Sequence, residues 1–514
     1  MSKTIIIIGA GLAGLSAALQ AAENGCNVKL VSSLPSERAQ SVMAEGGINA
    51  ALNTKDENDS PEEHFTDTIK AACGLADPNA VWGMTQAAPE LVHWLLKLGV
   101  KFNMSGYDDV DLRNFGGQKK KRTAFAQSDT GKQIMTAMID GGRRKEASGM
   151  VERFSHHSFL TLRLCGNICC GCVIRDEYSQ ETVELPGDAV IVATGGMHGL
   201  FGNTTGSLSN TGEVTAELFR LGVPLANGEM IQYHPTTVKC GGKRMLISEA
   251  ARGEGGRLFA MKDGKQWYFM EEKYPELGNL MPRDITAREI WKVSHESEVF
   301  LDMTEISEEI ISNKLSGLAD DCMTYLHKDI RKEPVSVLPG IHYFMGGILV
   351  DEQHRTPIQN LYAAGECCAQ YHGANRLGGN SLLGALYGGR VAAKSACEQA
   401  DVVDLSCATQ IDFPPASQIS EIKQLNKVMQ ETMGVVRNEN TLLNGIQTVQ
   451  ALTGNLPLLG MAVLKSALAR KESRGAHWRE DYPKSNDDDY LKTTVARFDG
   501  KQIQISFVPV PERR

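Results

Sequence analysis

The stretch that most constrains this chain is Thr4-Ile5-Ile6-Ile7-Ile8-Gly9-Ala10-Gly11-Leu12-Ala13-Gly14-Leu15. Four consecutive isoleucines predict a strand buried on both faces, as in a parallel sheet. Glycines at 9, 11 and 14 follow at once. Gly9 permits the tight turn, Gly11 lets backbone approach a pyrophosphate, and Gly14 lets the next helix close on the strand. That helix, predicted from Leu12 to Glu23, aims its positive end at phosphates. A second strand over 27–31 completes the unit. In this setting the glycines indicate a dinucleotide site rather than an ordinary turn. The second strand departs from the fingerprint, ending in Ser32-Ser33 where an acid would hold the ribose. Another ribose partner is therefore required.

The 514 residues leave room for about two to four domains with large cores. A net charge of -9 argues against a nucleic-acid surface. The basic run Lys119-Lys120-Lys121-Arg122 reads as a solvated loop. No stretch is apolar enough for a transmembrane helix, and the first strand begins too early for an export signal. In a large chain without such a signal, the cysteines are expected to be reduced. Cys165, Cys169, Cys170 and Cys172 bunch near 166–175, a segment that reads as a strand of small apolar residues. Their spacing fits no iron–sulfur pattern, so they are read as strand cysteines.

Past the first unit, Ser41-Val42-Met43-Ala44-Glu45-Gly46-Gly47-Ile48 carries a glycine pair that permits close approach to a planar ligand. Helical patterns follow over 61–72 and 81–98, and a strand over 167–174. Asp188-Ala189-Val190-Ile191-Val192-Ala193-Thr194-Gly195-Gly196 is a further buried strand ending in glycines. It returns the chain to the same sheet beside the pyrophosphate, and with the first motif it points to a flavin-type two-part site. From 233 to 338 the texture turns charged, aromatic and helical. The sheet resumes at Leu361-Tyr362-Ala363-Ala364-Gly365-Glu366, and Asn380-Ser381-Leu382-Leu383 opens a helix with Ser381 as its cap. Helical periodicity runs over 417–469, and a short strand over 502–508 ends the chain. The expected fold class is α/β: a Rossmann-like nucleotide-binding domain from 1–232 and 339–410, an inserted α+β domain over 233–338, and a C-terminal helical region and tail over 411–514.

The reactive side chains fall in clusters. They are Tyr233-His234-Pro235-Thr236, Ser248-Glu249-Ala250-Ala251-Arg252-Gly253-Glu254, Pro282-Arg283-Asp284, His342-Tyr343-Phe344-Met345 and His372-Gly373-Ala374-Asn375-Arg376. Pro282 suits the first turn of a helix. Together they offer His and Arg to a small dianion, with Glu and further arginines for proton transfer. The histidines are far apart in sequence and their charged neighbours are mostly arginines, so no metal site is expected.

These motifs, with Ala44-Glu45-Gly46-Gly47-Ile48, Ala364-Gly365-Glu366 and the run from His372 through Leu383, resemble the flavoprotein subunits of succinate dehydrogenase and fumarate reductase. Ser473-Arg474-Gly475-Ala476-His477-Trp478-Arg479-Glu480-Asp481 resembles that family's C-terminal signature. The likeness covers nearly the whole chain. It implies an FAD-binding domain, an inserted domain that caps a dicarboxylate, and a C-terminal helical region. It implies FAD contacts from Gly9, Gly11, Ala13, Gly14, Ser32, Ser41, Glu45, Gly46, Gly47, Ala193, Thr194, Gly195, Glu366, Asn380, Ser381 and Leu382. Among these, Glu366 would hold the adenosine ribose, and Ser381 and Leu382 would offer backbone donors to the flavin ring. His234, Ser248, His342 and Arg376 would bind the two carboxylates. Arg283 would donate or accept the proton, with Glu249 and Arg252 as its relay. The implied reaction is fumarate–succinate interconversion by hydride transfer between FAD N5 and the dicarboxylate; the fumarate-reducing direction is expected from the missing flavin-linking histidine.

One departure concerns flavin attachment. Respiratory members carry a flavin-linked histidine after Arg-Ser, whereas Arg38-Ala39-Gln40-Ser41 has glutamine in that place. Glutamine cannot form the bond, so non-covalent FAD is expected; the next histidine is His64. L-aspartate oxidase, a relative with non-covalent FAD, is one alternative, and a reductase of another unsaturated acid is a second. Aspartate oxidase carries a glutamate before a Gly-Gly, where this chain has Phe115 ahead of Gly116-Gly117. Phenylalanine cannot pair with an ammonium, which favours an unaminated dicarboxylate. A flavin-binding protein without turnover is disfavoured by the Glu249, Arg252 and Arg283 set. The chain has no haem-attachment motif and no credible cluster ligands. A separate iron–sulfur electron-transfer subunit is therefore the expected partner. The expected location is cytoplasmic, or peripheral on the inner face of the cytoplasmic membrane through partner subunits.

Overall fold

The computed structural model describes residues 2–107, 109–400, 411, 413 and 418–514. Its centre is a five-stranded parallel sheet in the order Leu361–Ala363, Ala189–Val192, Thr4–Ile8, Asn27–Ser32, Val151–Ser155. The isoleucine run is the middle strand, and the reason is visible in its side chains. Ile5 and Ile7 pack into a core of helices, while Ile6 and Ile8 pack into a second core on the other face. Strand geometry sends successive side chains to opposite faces, so only an unbroken apolar run can serve both.

The Leu12–Glu23 helix follows, and it packs against the Asn380–Gln399 helix and the Thr130–Ala147 helix. On the far face lies an antiparallel sheet of His157–Cys165, Ile168–Asp176 and Thr182–Pro186. Cys169 and Cys172 sit in that face's core as apolar filler, and burial pushes the Cys169 thiol up to about 12. Ten cysteines are free among the described residues. Cys165 is disulfide-bonded, against the expectation of reduced thiols throughout. It ends a strand at the exposed turn Gly166-Asn167, outside the core that shields its neighbours.

A separate core gathers residues from Ile247 to Val337 and takes in one residue from elsewhere, Phe115. It is built on the antiparallel sheet of Lys265–Trp267, Arg257–Lys262, Val299–Asp302 and Val335–Ser336. A bridging sheet of Lys243–Leu246, Ile231–Cys240 and Leu338–Phe344 connects it to the rest. The helices Ile419–Thr432, Glu439–Gln450 and Asn455–Ala469 form a third core with Phe201, Ile231 and Phe344. The final hairpin, Lys492–Phe498 and Ile503–Pro509, adds to a sheet with Leu225–Ala226 and Gly347–Leu349. The expected end of the nucleotide domain at 410 and the expected start of helical periodicity at 417 fall outside the described residues. No helix among the described residues is long and apolar enough to cross a membrane.

Two expected caps shift. Gly379, not Ser381, caps the Asn380–Gln399 helix, because only glycine takes its φ of +85° without strain. Pro282 sits one position before the first turn of the Arg283–Val293 helix rather than in it.

Gly14 is the tightest point of the nucleotide unit: a Cβ there would lie 1.8 Å from the Gly9 carbonyl oxygen. A backbone oxygen cannot rotate away, so Gly14→Ala is expected to cost at least about 1–3 kcal/mol. At Gly11 a Cβ would meet only Ala39 and Ser41 side chains at 3.7 and 3.8 Å. Thermal unfolding of the ligand-free protein should therefore drop for Gly14→Ala and hold for Gly11→Ala. Equal midpoints would show that the helix does not need this close approach.

Candidate active site

A cavity of about 920 Å³ opens where the parallel sheet's carboxyl ends meet the bridging sheet and the second core. Open parallel sheets place ligands outside their carboxyl ends. The wall includes Gly9, Gly11, Ala13, Ser32, Ser41, Glu45, Gly46, Gly47, Ala193, Thr194, Gly195, Glu366, Ser381 and Leu382. It also includes His234, Ser248, Glu249, Arg283, His342 and Arg376. Gly14, Arg252 and Asn380 stand behind the wall: Gly14 under the first turn, Arg252 against Glu249, and Asn380 beneath Ser381.

The nucleotide end carries polar atoms that lack partners inside the protein. Ser32 Oγ, at the end of the second strand, is buried and unbonded. So is Glu45 Oε2, whose carboxyl is pushed up to about 8 by burial and then by Asp321. A neutral Glu45 has a proton to donate. Gly195 has φ +74°, and a Cβ there would strike Asn210 at 2.6 Å, so this turn must stay bare. Glu366 lies under Gly196, accepts from the Phe344 N–H at 3.1 Å and stands 3.5 Å from His198. Bare glycine turns, a helix N-terminus and unpartnered hydroxyl and carboxyl groups fit a dinucleotide.

The other cluster is cationic. Arg283 Nε and Nη2 donate to one oxygen of Glu249, Oε2, at 2.8 and 2.6 Å. Its Nη1 donates to Gln232 Oε1 at 3.1 Å. Glu249 Oε1 accepts from the Gly116 N–H at 3.1 Å and lies 3.4 Å from Arg252. Burial works to raise the Glu249 pKa, but Arg283, Arg252 and the Gly116 N–H together hold it below the usual carboxylate range. Arg252 Nη1 donates to the Asn279 carbonyl at 2.6 Å, leaving Nε without a partner. Arg376 lies over the Tyr343 ring at 4.5 Å with Nε unpartnered. Burial, and then Arg283, lower its pKa to about 9.

His234 and His342 face one another with ring centres 5.1 Å apart. Burial, then Arg283, push both well below the ordinary histidine value, so both are neutral. His342 Nδ1 is held by Thr205 Oγ1 at 2.8 Å, and His234 Nε2 is buried without a partner. Ser248 caps the Glu249–Gly253 turn through Ala250 N–H. Glu249 is paired with both Arg252 and Arg283, and Arg283 and Arg376 border the cavity side by side with His234 and His342, which suits this end of it to an anion.

Sequence reasoning missed Gln232, Thr205 and Asn210. Gln232 lies two residues before His234 on the Ile231–Cys240 strand, so strand periodicity carried a signal for it. Thr205 and Asn210 sit in loops where nothing local marks them. His64, the histidine after Gln40, lies behind the wall against Asn380.

Comparison with known proteins agrees with this geometry. A family model described as an FAD binding domain matches residues 4–382, and one described as the fumarate reductase flavoprotein C-terminus matches 452–513. The chain is 38% identical to the succinate dehydrogenase flavoprotein subunit of Bacillus subtilis, over 100% of this chain and 98% of that one. It is 32% identical to the 8-methylmenaquinol:fumarate reductase flavoprotein subunit of Wolinella succinogenes, over 100% and 92%. A structure of an E. coli quinol fumarate reductase variant superposes with TM-score 0.90 at 27% identity, covering 99% of this chain and 97% of that one. L-aspartate oxidase is not the favoured reading. With an FAD cavity, a cationic cluster beside it and relatives matched end to end, the chain belongs to the succinate dehydrogenase/fumarate reductase flavoprotein family, an FAD-dependent oxidoreductase.

Proposed function

We propose that this protein interconverts fumarate and succinate, working in the fumarate-reducing direction, with Arg283 as the proton donor. The observation that carries the reading is the setting of Arg283, gripped by Glu249 and Gln232 while bordering the cavity beside His234, His342 and Arg376. Arg376 and the neutral imidazoles of His234 and His342, with Ser248, hold the two carboxylates. The core of 247–337 caps them and excludes water. FAD, once bound and reduced by the electron-transfer partner, would supply a hydride to one alkene carbon. Arg283 delivers a proton to the other, so the double bond becomes a single bond with two new C–H bonds. Glu249, and behind it Arg252, return the proton. A reference pKa of about 12.5 or more makes arginine a weak acid. Fixed geometry offsets that, as the two guanidinium contacts on Glu249 Oε2 hold the donor in place. Glu366 supplies the ribose carboxylate that the second strand, ending in Ser32, lacks.

FAD is bound without a covalent link, because Gln40 lines the cavity where a histidine would make the bond. The chain exchanges electrons with a separate iron–sulfur subunit, and any membrane association runs through partner subunits.

The Arg283→Lys variant should lose about 10²–10⁴-fold in fumarate turnover with near-normal FAD content, since lysine keeps the charge but not the planar fork. Retention of more than about a tenth of the rate would place the proton donor elsewhere. Acid precipitation should release all of the flavin; fluorescence that stays with the denatured polypeptide would refute the non-covalent assignment. Dye-linked assays in both directions should show fumarate reduction outpacing succinate oxidation. A histidyl bond raises flavin potential, and about 30 mV is a tenfold change for a two-electron couple. Equal rates would contradict the preferred direction, and full turnover from NADH alone would contradict the need for a partner.

A further inference from the structure

Behind the first turn of the Asn380–Gln399 helix lies a buried polar cluster that proton transfer does not use. Asn380 Oδ1 lies 2.9 Å from His64 Nε2 and accepts from Asn49 Nδ2 at 2.7 Å. Asn380 Nδ2 donates to Thr68 Oγ1 at 3.0 Å. The Thr68 hydroxyl already donates to the His64 carbonyl at 2.8 Å, so toward Asn380 it can only accept. The Asn380 amide is thereby oriented, and its oxygen faces two donors. His64 must then carry its proton on Nε2. Its Nδ1 has no partner, so a second proton there would be an unpaired buried donor. Burial, then the Arg122 charge, lower its pKa to about 3, which keeps the ring neutral.

The same cluster fixes the chain entering the helix. Asn49 Nδ2 also donates to the Gly378 carbonyl at 2.7 Å, as does Gln118 Nε2 at 2.9 Å. A Cβ on Gly379 would lie 2.1 Å from Asn49 Oδ1. The next two residues, Ser381 and Leu382, are cavity wall. Every polar atom of Asn380 is thus committed to holding this turn, and none reaches the cavity.

We propose that His64 is a positioning residue of the flavin site. Through Asn380 it holds the first helical turn against bound FAD, so that the helix's positive end favours the reduced, more negative flavin. This rests on the flavin ring lying at Ser381 and Leu382. A positive helix terminus acts only within its first turn, so a small withdrawal is felt.

The test is the flavin midpoint potential of holoenzyme, measured by dye-equilibrated reduction, for wild type, His64→Gln and His64→Leu. Glutamine still offers an N–H to Asn380 and should keep the wild-type potential. Leucine offers none, and the reduced-to-oxidised ratio at a set potential should fall at least tenfold, a drop of about 30 mV for a two-electron couple. A purely structural role would lower the melting temperature of both variants and move neither potential, which overturns the proposal. If His64→Leu does not fold with FAD, Thr68→Val decides. It removes the acceptor that orients the Asn380 amide toward His64 without adding charge, so the potential must fall; an unmoved value overturns the proposal. Wild-type protein that takes up no FAD would defeat the cavity assignment itself. A flavin-loaded wild type with unmoved variants defeats this inference alone.

Discussion

A surplus of buried positive charge organises this molecule. Arg252, Arg283 and Arg376 are each less than a tenth exposed, and Glu249 is paired with the first two. Burying charge without a partner is costly, and removing one side of a buried pair typically costs about 3–5 kcal/mol. Arg283 is held by Glu249 and Gln232, and Arg252 by Glu249 and the Asn279 carbonyl. Arg376 Nε and His234 Nε2 are without partners inside the protein. An anion at this wall would give both of them partners.

The scaffolding that holds this charge comes from distant parts of the chain. Arg376 sits in the loop 372–376, whose Ala374 bonds backward to Ala72 and receives the Ala476 N–H. A Cβ on Gly475 would lie 2.5 Å from the Ala374 carbonyl. That contact is braced by a buried ionic net: Arg470 on Glu229 and Glu472, and Arg474 on Glu472, at 2.7–2.8 Å. The late basic signature, far from the cavity in sequence, therefore acts by pressing the Arg376 loop into place. Such a net specifies a single packing, because any slip strands a charge.

On the nucleotide side the organising constraint is steric. Gly14 against Gly9, Gly9 against Ala193 and Gly379 against Asn49 are contacts in which a single methyl group would strike fixed neighbours. These close approaches bring one helix N-terminus from each end of the chain to the same cavity. The cavity is consequently walled from two sides, by Gly9 to Leu12 and by Ser381 and Leu382.

Much of this was legible in the sequence, and the reasons are local. An apolar run of four must face two cores, glycines at 9, 11 and 14 must precede a helix, and the Leu12–Glu23 helix appears with the predicted bounds. The His, Glu and Arg motifs stood out by residue type, and the fold brings His234, Glu249, Arg283, His342 and Arg376 to one cavity. What required the tertiary structure was partnership. Nothing near Ser381 revealed that Gly379 would take the cap, since that depends on a positive φ set by the preceding turn. Asn380 read as a ligand contact, yet Asn49, His64 and Thr68 enclose it. Gln232 and Thr205 acquire their roles only when strands and loops distant in sequence converge on Arg283 and His342. Local sequence determines backbone preference and chemical type, whereas the hydrogen-bond partner of a buried side chain is decided by which distant segment packs against it.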